Sequence, residues 1–223
     1  RIDLNVSVSK RIQNDLYLND DYKPRSEYVL YNGVDRHKFY PMKVSKANDS
    51  FAIGCVANFW PIKDHISLIK AIGLLKEAGF ENINLRLIGA GETHMFCKNY
   101  VIDHNLEDYV TFENERDHEK LNQFYNEISL FVMPSYYEAL GCVLLEAWAT
   151  NTPVISIKNQ GIEEILPKNE LDFLLAERQN PESLKEKIVG EYNRKRDLVF
   201  DDRYDIRNTI IDFLKQSIFE NGK

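Results

Sequence analysis

Cysteine is scarce in this chain of 223 residues: Cys55, Cys97 and Cys142 are odd in number, far apart and without CxxC spacing. Neither a disulfide framework nor a zinc site fits that pattern, and a reducing compartment is expected. Glycine and proline are few, at ten and seven, so a collagen-like or low-complexity chain is excluded. No apolar run approaches the ~18 residues that a membrane-spanning helix requires, and a transmembrane protein is not expected. Positive charge is outnumbered, with 28 Lys+Arg against 35 Asp+Glu and a net charge of -7. A broad nucleic-acid-binding face is therefore not expected, while a local basic pocket for phosphate stays open. The opening residues RIDLNVSVSKR lack the charged start and apolar stretch of a signal peptide and begin in mid-pattern, as though cut from something longer.

What the chain does have is apolar material for a core, at 43% hydrophobic, arranged as short apolar runs alternating with amphipathic ones. The strand-like runs are 28–31, 51–56, 83–88, 109–112, 128–133, 153–157 and 173–175. Several are apolar on both faces, as in ISLFVM, which suits strands covered by helices on each side. Helical patterns lie between them. The first follows Asp64, a candidate N-cap, and carries Ile66, Ile69, Ile72 and Leu75 before Gly79. Others run near 92–104, 118–126, 142–151 and 182–192, the last with Asn180 as cap and Pro181 at its first position. The alternation predicts an α/β fold, a doubly wound parallel sheet of Rossmann-like type. Residues 1–20 read as one strand and one polar helix, 21–50 as linker, and 201–219 as a separate amphipathic helix.

In open parallel sheets, ligands bind where the carboxyl ends of strands feed helix N-termini. The most informative such loop reads PSYYEALGCVLLEAWATNTPVISI. Glu138 sits in the loop, Gly141 opens the next helix, and Glu146 follows eight positions after Glu138. Free backbone N–H groups near Gly141 favour a phosphate. The flanking carboxylates can accept hydrogen bonds from sugar hydroxyls, so a sugar nucleotide reconciles both features. The bland alternative leaves Glu138 at a loop end and Glu146 solvated on its helix.

Further motifs agree in order. They are Tyr31-Asn32-Gly33-Val34-Asp35 with Phe39, Val56-Ala57-Asn58-Phe59 with Lys63-Asp64-His65, and Leu87-Ile88-Gly89-Ala90-Gly91. Val132-Met133-Pro134-Ser135 precedes the E-x7-E element, and Gly161-Ile162-Glu163-Glu164 follows it. Over about residues 28–192 this series resembles the donor-binding, C-terminal half of family-4 retaining glycosyltransferases of the GT-B fold. The resemblance implies that Glu138 contacts the transferred sugar, Glu146 holds the ribose hydroxyls, and Lys63 binds the pyrophosphate. It implies backbone N–H groups from Gly141, Cys142 and Val143 on the sugar or distal phosphate. Asn58, Gly89 and Gly91 join the donor site, and Arg116 lies where the family commonly reads the base. Many members have Gly-Arg where Ala57-Asn58 stand, so a phosphate cation is replaced by a neutral donor, with hydrogen bonds roughly half as strong. Glu113-Asn114 and Asp172 each stand where the family usually has glycine.

The resemblance implies retaining, metal-independent transfer of a hexosyl group from a nucleoside-diphosphate sugar, with no cofactor. The implied acceptor is a cell-surface polysaccharide or lipid-linked glycan, bound through an N-terminal domain absent here. Residues 1–20 then become the tail of that domain, 21–50 linker and first strand, 51–200 the donor domain, and 201–223 a helix crossing back. A cytoplasmic protein, peripherally associated with the inner membrane face, is expected. Two alternatives stay open: a non-catalytic nucleotide-sugar-binding module, and a nucleotide-sugar epimerase of the same architecture. Among lesser signals, the histidines lack HxxH spacing, so no metal is expected. His65 reads as helix-start structure or a phosphate neighbour, and Gly89 and Gly91 as turn glycines or ligand contacts. Cys142 reads as a small buried residue, with a reactive thiol as the alternative. Trp148 reads as core, Trp60 as a cleft residue or a shield of the domain interface, and Arg194-Lys195-Arg196 as a solvated helix end.

Overall fold

The computed structural model describes residues 2–18, 21–44, 50–194 and 196–220, side chains of 216–220 excepted. Parts of the 1–20, 21–50 and 201–223 segments, and Lys195, lie outside the described residues. The expected alternation is present. Strands β1 (Leu4–Ser7) and β2 (Ser26–Val29) flank helix α1 (Lys10–Leu16). Then follow β3 (Phe51–Val56), α2 (His65–Glu77), β4 (Ile83–Ile88), α3 (His94–Asp103), β5 (Val110–Glu113) and α4 (His118–Glu127). The chain continues through β6 (Leu130–Val132), α5 (Cys142–Ala149), β7 (Val154–Ile157), α6 (Leu171–Leu174), β8 (Leu175–Ala176), α7 (Pro181–Arg194) and α8 (Ile206–Glu220).

β3 to β8 form one parallel sheet in the order β5-β4-β3-β6-β7-β8. β1 and β2 pair separately, also in parallel. The large sheet is covered on both faces, which is why its strands are apolar on both sides. In β3, Phe51, Ile53 and Cys55 join a core with Leu68, Ile69, Ile72 and Leu75 of α2 and Leu184 and Ile188 of α7. The opposite face meets α4 and α5 through Phe124, Tyr125, Leu144, Leu145 and Trp148. Gly54 is the small residue that admits this layer: a Cβ there would lie 2.6 Å from Ile128 and 2.8 Å from the Phe124 ring.

Helix ends follow their sequence signals. Asp64 stands at the N-cap position of α2, at φ 50° and without a side-chain cap hydrogen bond, and Gly79 follows the helix end at φ 85°, where its N–H donates to the Lys76 carbonyl. Asn180 accepts from the Ser183 N–H at 3.0 Å, and Pro181 opens α7. One expectation fails. Residues 173–175 are not a strand, because Phe173 and Leu174 complete the short helix α6 and only Leu175–Ala176 pair with β7. A short apolar run carries too little periodicity to separate a buried helical turn from a strand.

The basic run is corrected too. Arg194 and Arg196 are not a solvated end: both pair with Glu170 and with Glu191, which is buried. The C-terminal helix lies where expected, but Ile206 and Ile210 point outward, 40% and 48% exposed.

Candidate functional site

The strand order reverses between β3 and β6, neighbours in space but not in sequence. At such a switch point the two loops leave in opposite directions and open a crevice at the strand ends. Here the β3 loop supplies Asn58 and Lys63, and the β6 loop supplies Glu138 and Gly141. A cavity of about 420 Å³ lies between them, lined by Val56, Ala57, Asn58, Lys63, Ile88, Gly89 and Arg116 on one side. Met133, Glu138, Gly141, Cys142 and Val143 face them. Eight of the residues singled out from the sequence thus share one cavity. Gly91 does not line it, nor does Glu146.

The two loops are tied together. The Tyr136 N–H donates to the Ile62 carbonyl at 3.1 Å, and Lys63 Nζ reaches Glu138 Oε2 at 2.6 Å. Both side chains are mostly buried, so the pair joins two walls of the cavity at reduced screening. Gly89, at φ 146°, lets β4 approach the β3 loop: a Cβ would sit 2.1 Å from the Ala57 carbonyl oxygen. Gly91 does the same beside Phe59. Gly141, at φ 85°, starts α5, where a Cβ would come 2.8 Å from Met133. The first N–H groups of α5, on Cys142 and Val143, have no intrahelical partner and lie at the cavity wall.

Glu146 is not solvated. It is 8% exposed on α5 and accepts from the Tyr125 hydroxyl at 2.9 Å, with His118 Nε2 on its other oxygen at 3.0 Å. Burial, with Glu146 adjacent, pushes the Tyr125 hydroxyl well above its ordinary value, so it stays a donor. Arg116 pairs with Glu113, which also holds Arg86. Desolvation raises the Glu113 carboxyl, but the two guanidiniums outweigh it and hold it below its usual range.

Cys142 is corrected: its side chain is exposed at the cavity wall, with Asn32 donating to its sulfur at 3.1 Å. Desolvation in the cleft, with Glu146 and Glu138 nearby, raises its thiol despite the Asn32 contact, which disfavours a reactive thiolate. His65 does not line the cavity. It is buried and stacked on Phe59 with ring centroids 4.0 Å apart, and burial with Lys63 beside it lowers its pKa to about 4. Trp148 is fully buried, and Trp60 is exposed outside the cavity lining.

Sequence reasoning missed Tyr125, His118 and Gln160. No motif marks them; each reaches a site glutamate across 21 to 28 positions of chain. Among the described residues no group of His, Cys, Asp and Glu is arranged to hold a metal ion, and no helix is long and apolar enough to cross a membrane.

Residues 38–190 match the profile of the family described as glycosyl transferases group 1. An uncharacterized glycosyltransferase of Methanocaldococcus jannaschii is 31% identical over 218 residues, 98% of this chain and 53% of that protein. The O-antigen chain mannosyltransferase of Salmonella typhimurium is 33% identical over 144 residues, 64% of this chain and 38% of that protein. The chain spans about half the length of the M. jannaschii relative and less of the Salmonella one. In fold it is similar to sucrose-phosphate synthase of Thermosynechococcus elongatus, with a TM-score of 0.83, 22% identity, and coverage of 98% of this chain and 59% of that one. It is also similar to HepE of Anabaena, solved with UDP and glucose, with a TM-score of 0.80, 18% identity, and coverage of 96% and 62%.

Proposed function

The chain belongs to the glycosyl transferases group 1 family, and from that premise we propose that it is the donor-binding half of a retaining glycosyltransferase. The donor is a nucleoside-diphosphate sugar, as the UDP seen in HepE suggests. The acceptor is a glycan of a surface polysaccharide or a lipid-linked glycan, as the O-antigen relative suggests. It would be bound with the help of an N-terminal acceptor domain, at the inner face of the membrane.

The observation that carries this reading is the single cavity at the strand-order reversal, where a cation, a carboxylate and a helix N-terminus converge. Each answers one part of such a donor. Lys63 and the N–H groups of Cys142 and Val143 meet the negative charge that develops on the departing diphosphate, without a metal ion. Glu138 accepts hydrogen bonds from the transferred sugar beside the anomeric carbon. Glu146, held by Tyr125 and His118 outside the lining of the cavity, is the carboxylate assigned to the ribose hydroxyls. Asn58 and Gly89 complete the phosphate side, and Arg116 lies towards the base.

Calorimetric titration with UDP, GDP and ADP tests the donor site, with Glu146→Gln as the control. Selective binding of one diphosphate, weakened by that change, is expected. In the intact protein Glu138→Ala lowers transfer sharply and leaves nucleotide binding in place; unchanged turnover in that variant would sink the assignment.

A further inference from the structure

The loop that carries Glu138 runs from Pro134 to Gly141 without helix or strand of its own. Its backbone is held instead by the turn after β7. Gln160 is 4% exposed, and its Oε1 accepts from the Glu138 N–H at 2.6 Å. Its Nε2 donates to the Tyr136 carbonyl at 3.2 Å and approaches the Lys158 carbonyl at 3.4 Å. These partners fix the amide orientation, since an N–H needs the oxygen and two carbonyls need the nitrogen. The next residue takes the other backbone group of Glu138: the Gly161 N–H donates to the Glu138 carbonyl at 3.4 Å. Gly161 is pressed so closely on the loop that a Cβ would lie 1.8 Å from the Ala139 carbonyl oxygen. Ser9, fully buried, donates to that Ala139 oxygen at 2.8 Å.

We propose that Gln160 is a positioning residue for glycosyl transfer: its buried carboxamide fixes the Glu138 peptide, and so the direction in which the Glu138 carboxylate meets the sugar. This rests on the donor-site reading above. Among the described residues the Glu138 carboxylate has one side-chain anchor, Lys63 at 2.6 Å, and a diphosphate drawn to Lys63 competes for it. The backbone grip is then what keeps the carboxylate in place. Misplacement of a reacting group by about 1 Å can cost ~100-fold in rate, so a shell that holds the peptide acts on turnover more than on binding.

The test uses the intact protein with UDP-glucose, UDP-N-acetylglucosamine and GDP-mannose, and with water as acceptor. In that reaction the bond from the anomeric carbon to the diphosphate oxygen breaks and its electron pair leaves with the diphosphate. The water oxygen bonds to the anomeric carbon and its proton goes to solvent. Turnover, KM, diphosphate affinity and Tm are measured for the unaltered protein, for Gln160→Met, which keeps the volume and removes the amide, and for Gln160→Asn, which keeps an amide too short to span both partners. Turnover is expected to fall about tenfold to a hundredfold in both variants, with diphosphate affinity and KM within about twofold. In a Glu138→Gln background, Gln160→Met is expected to add no further loss, as residues acting through one group are not additive. Turnover in both single variants equal to that of the unaltered protein overturns the proposal. So does a parallel fall in turnover, affinity and Tm, or a full additional loss in the Glu138→Gln background. If the unaltered protein binds no diphosphate and consumes none of the donors, the donor-site reading falls and this proposal with it.

Discussion

Lys63 and Glu138, 75 positions apart in the chain, meet at 2.6 Å in the lining of one cavity. They meet because β3 and β6 are neighbours in the sheet, so the loops that follow them face each other at its carboxyl edge. The cation that would receive a diphosphate is thereby held by the carboxylate that would receive a sugar.

Lys63→Met is expected to weaken binding of the preferred diphosphate by about 10- to 100-fold, the worth of one charge-assisted hydrogen bond of ~1.5–3 kcal/mol. Glu138→Gln releases Lys63 and leaves diphosphate affinity undiminished. Calorimetry on both variants checks this; equal affinity in Lys63→Met would show that the lysine does not contact the ligand.

Tyr125→Phe removes the buried hydroxyl that donates to Glu146 and leaves that carboxylate short of a partner. A loss of about 1–3 kcal/mol in unfolding free energy is expected. Diphosphate affinity should fall as well, because Glu146 is then held by His118 alone among the described residues. A urea midpoint and binding curve both equal to those of the unaltered protein would contradict it.

Two glycines should respond with opposite sign. Gly190 lies inside α7 with nothing within 4 Å of an added Cβ, so Gly190→Ala is expected to stabilise by ~0.5–1 kcal/mol. Gly89→Ala places a methyl 2.1 Å from the Ala57 oxygen at φ 146°, and is expected to cost ~1–3 kcal/mol from backbone strain alone. Thermal melts of the pair decide it, and a melting temperature not lowered in Gly89→Ala would show that the β3–β4 contact yields.

His65 sets a pH response. Its pKa is lowered from 6.5 to about 4 in the folded protein, chiefly by burial, with Lys63 adding. The unfolded chain therefore binds the extra proton first. The stability present above pH 6.5 is lost as pH falls towards about 4, by up to ~1.4 kcal/mol per pH unit from this group. His65→Phe, which keeps the stack on Phe59, is expected to flatten that part of the curve. Denaturant midpoints at several pH values between 4 and 7 measure the difference; parallel curves would show that His65 contributes nothing.

Much of the fold was legible because the sheet is buried on both faces. The β3 and β4 runs, Phe51–Val56 and Ile83–Ile88, have the bounds that their apolar character predicts. The 173–175 run misled because Phe173 and Leu174 are as apolar in a helical turn as in a strand, and no polar residue within it reveals the period. The basic run misled for another reason: Arg194 and Arg196 pair with Glu170, 24 and 26 positions away, as well as with Glu191. Cys142 reads as a core residue by type, yet it stands at a helix start that opens into the cavity.

The amino-acid sequence by itself determined the alternation of strands and helices, the family signature and the candidate loops, because these rest on local pattern and on residue types within a few positions of each other. Only the tertiary structure decided which groups hold the site. Tyr125 and His118 reach Glu146 from α4, Lys63 reaches Glu138 from the β3 loop, and Gln160 grips the Glu138 peptide from the turn after β7. Hydrogen bonds and ion pairs act over about 3 Å of space. Which residues come within that distance depends on how non-consecutive strands are ordered in the sheet, and no local stretch of chain carries that order.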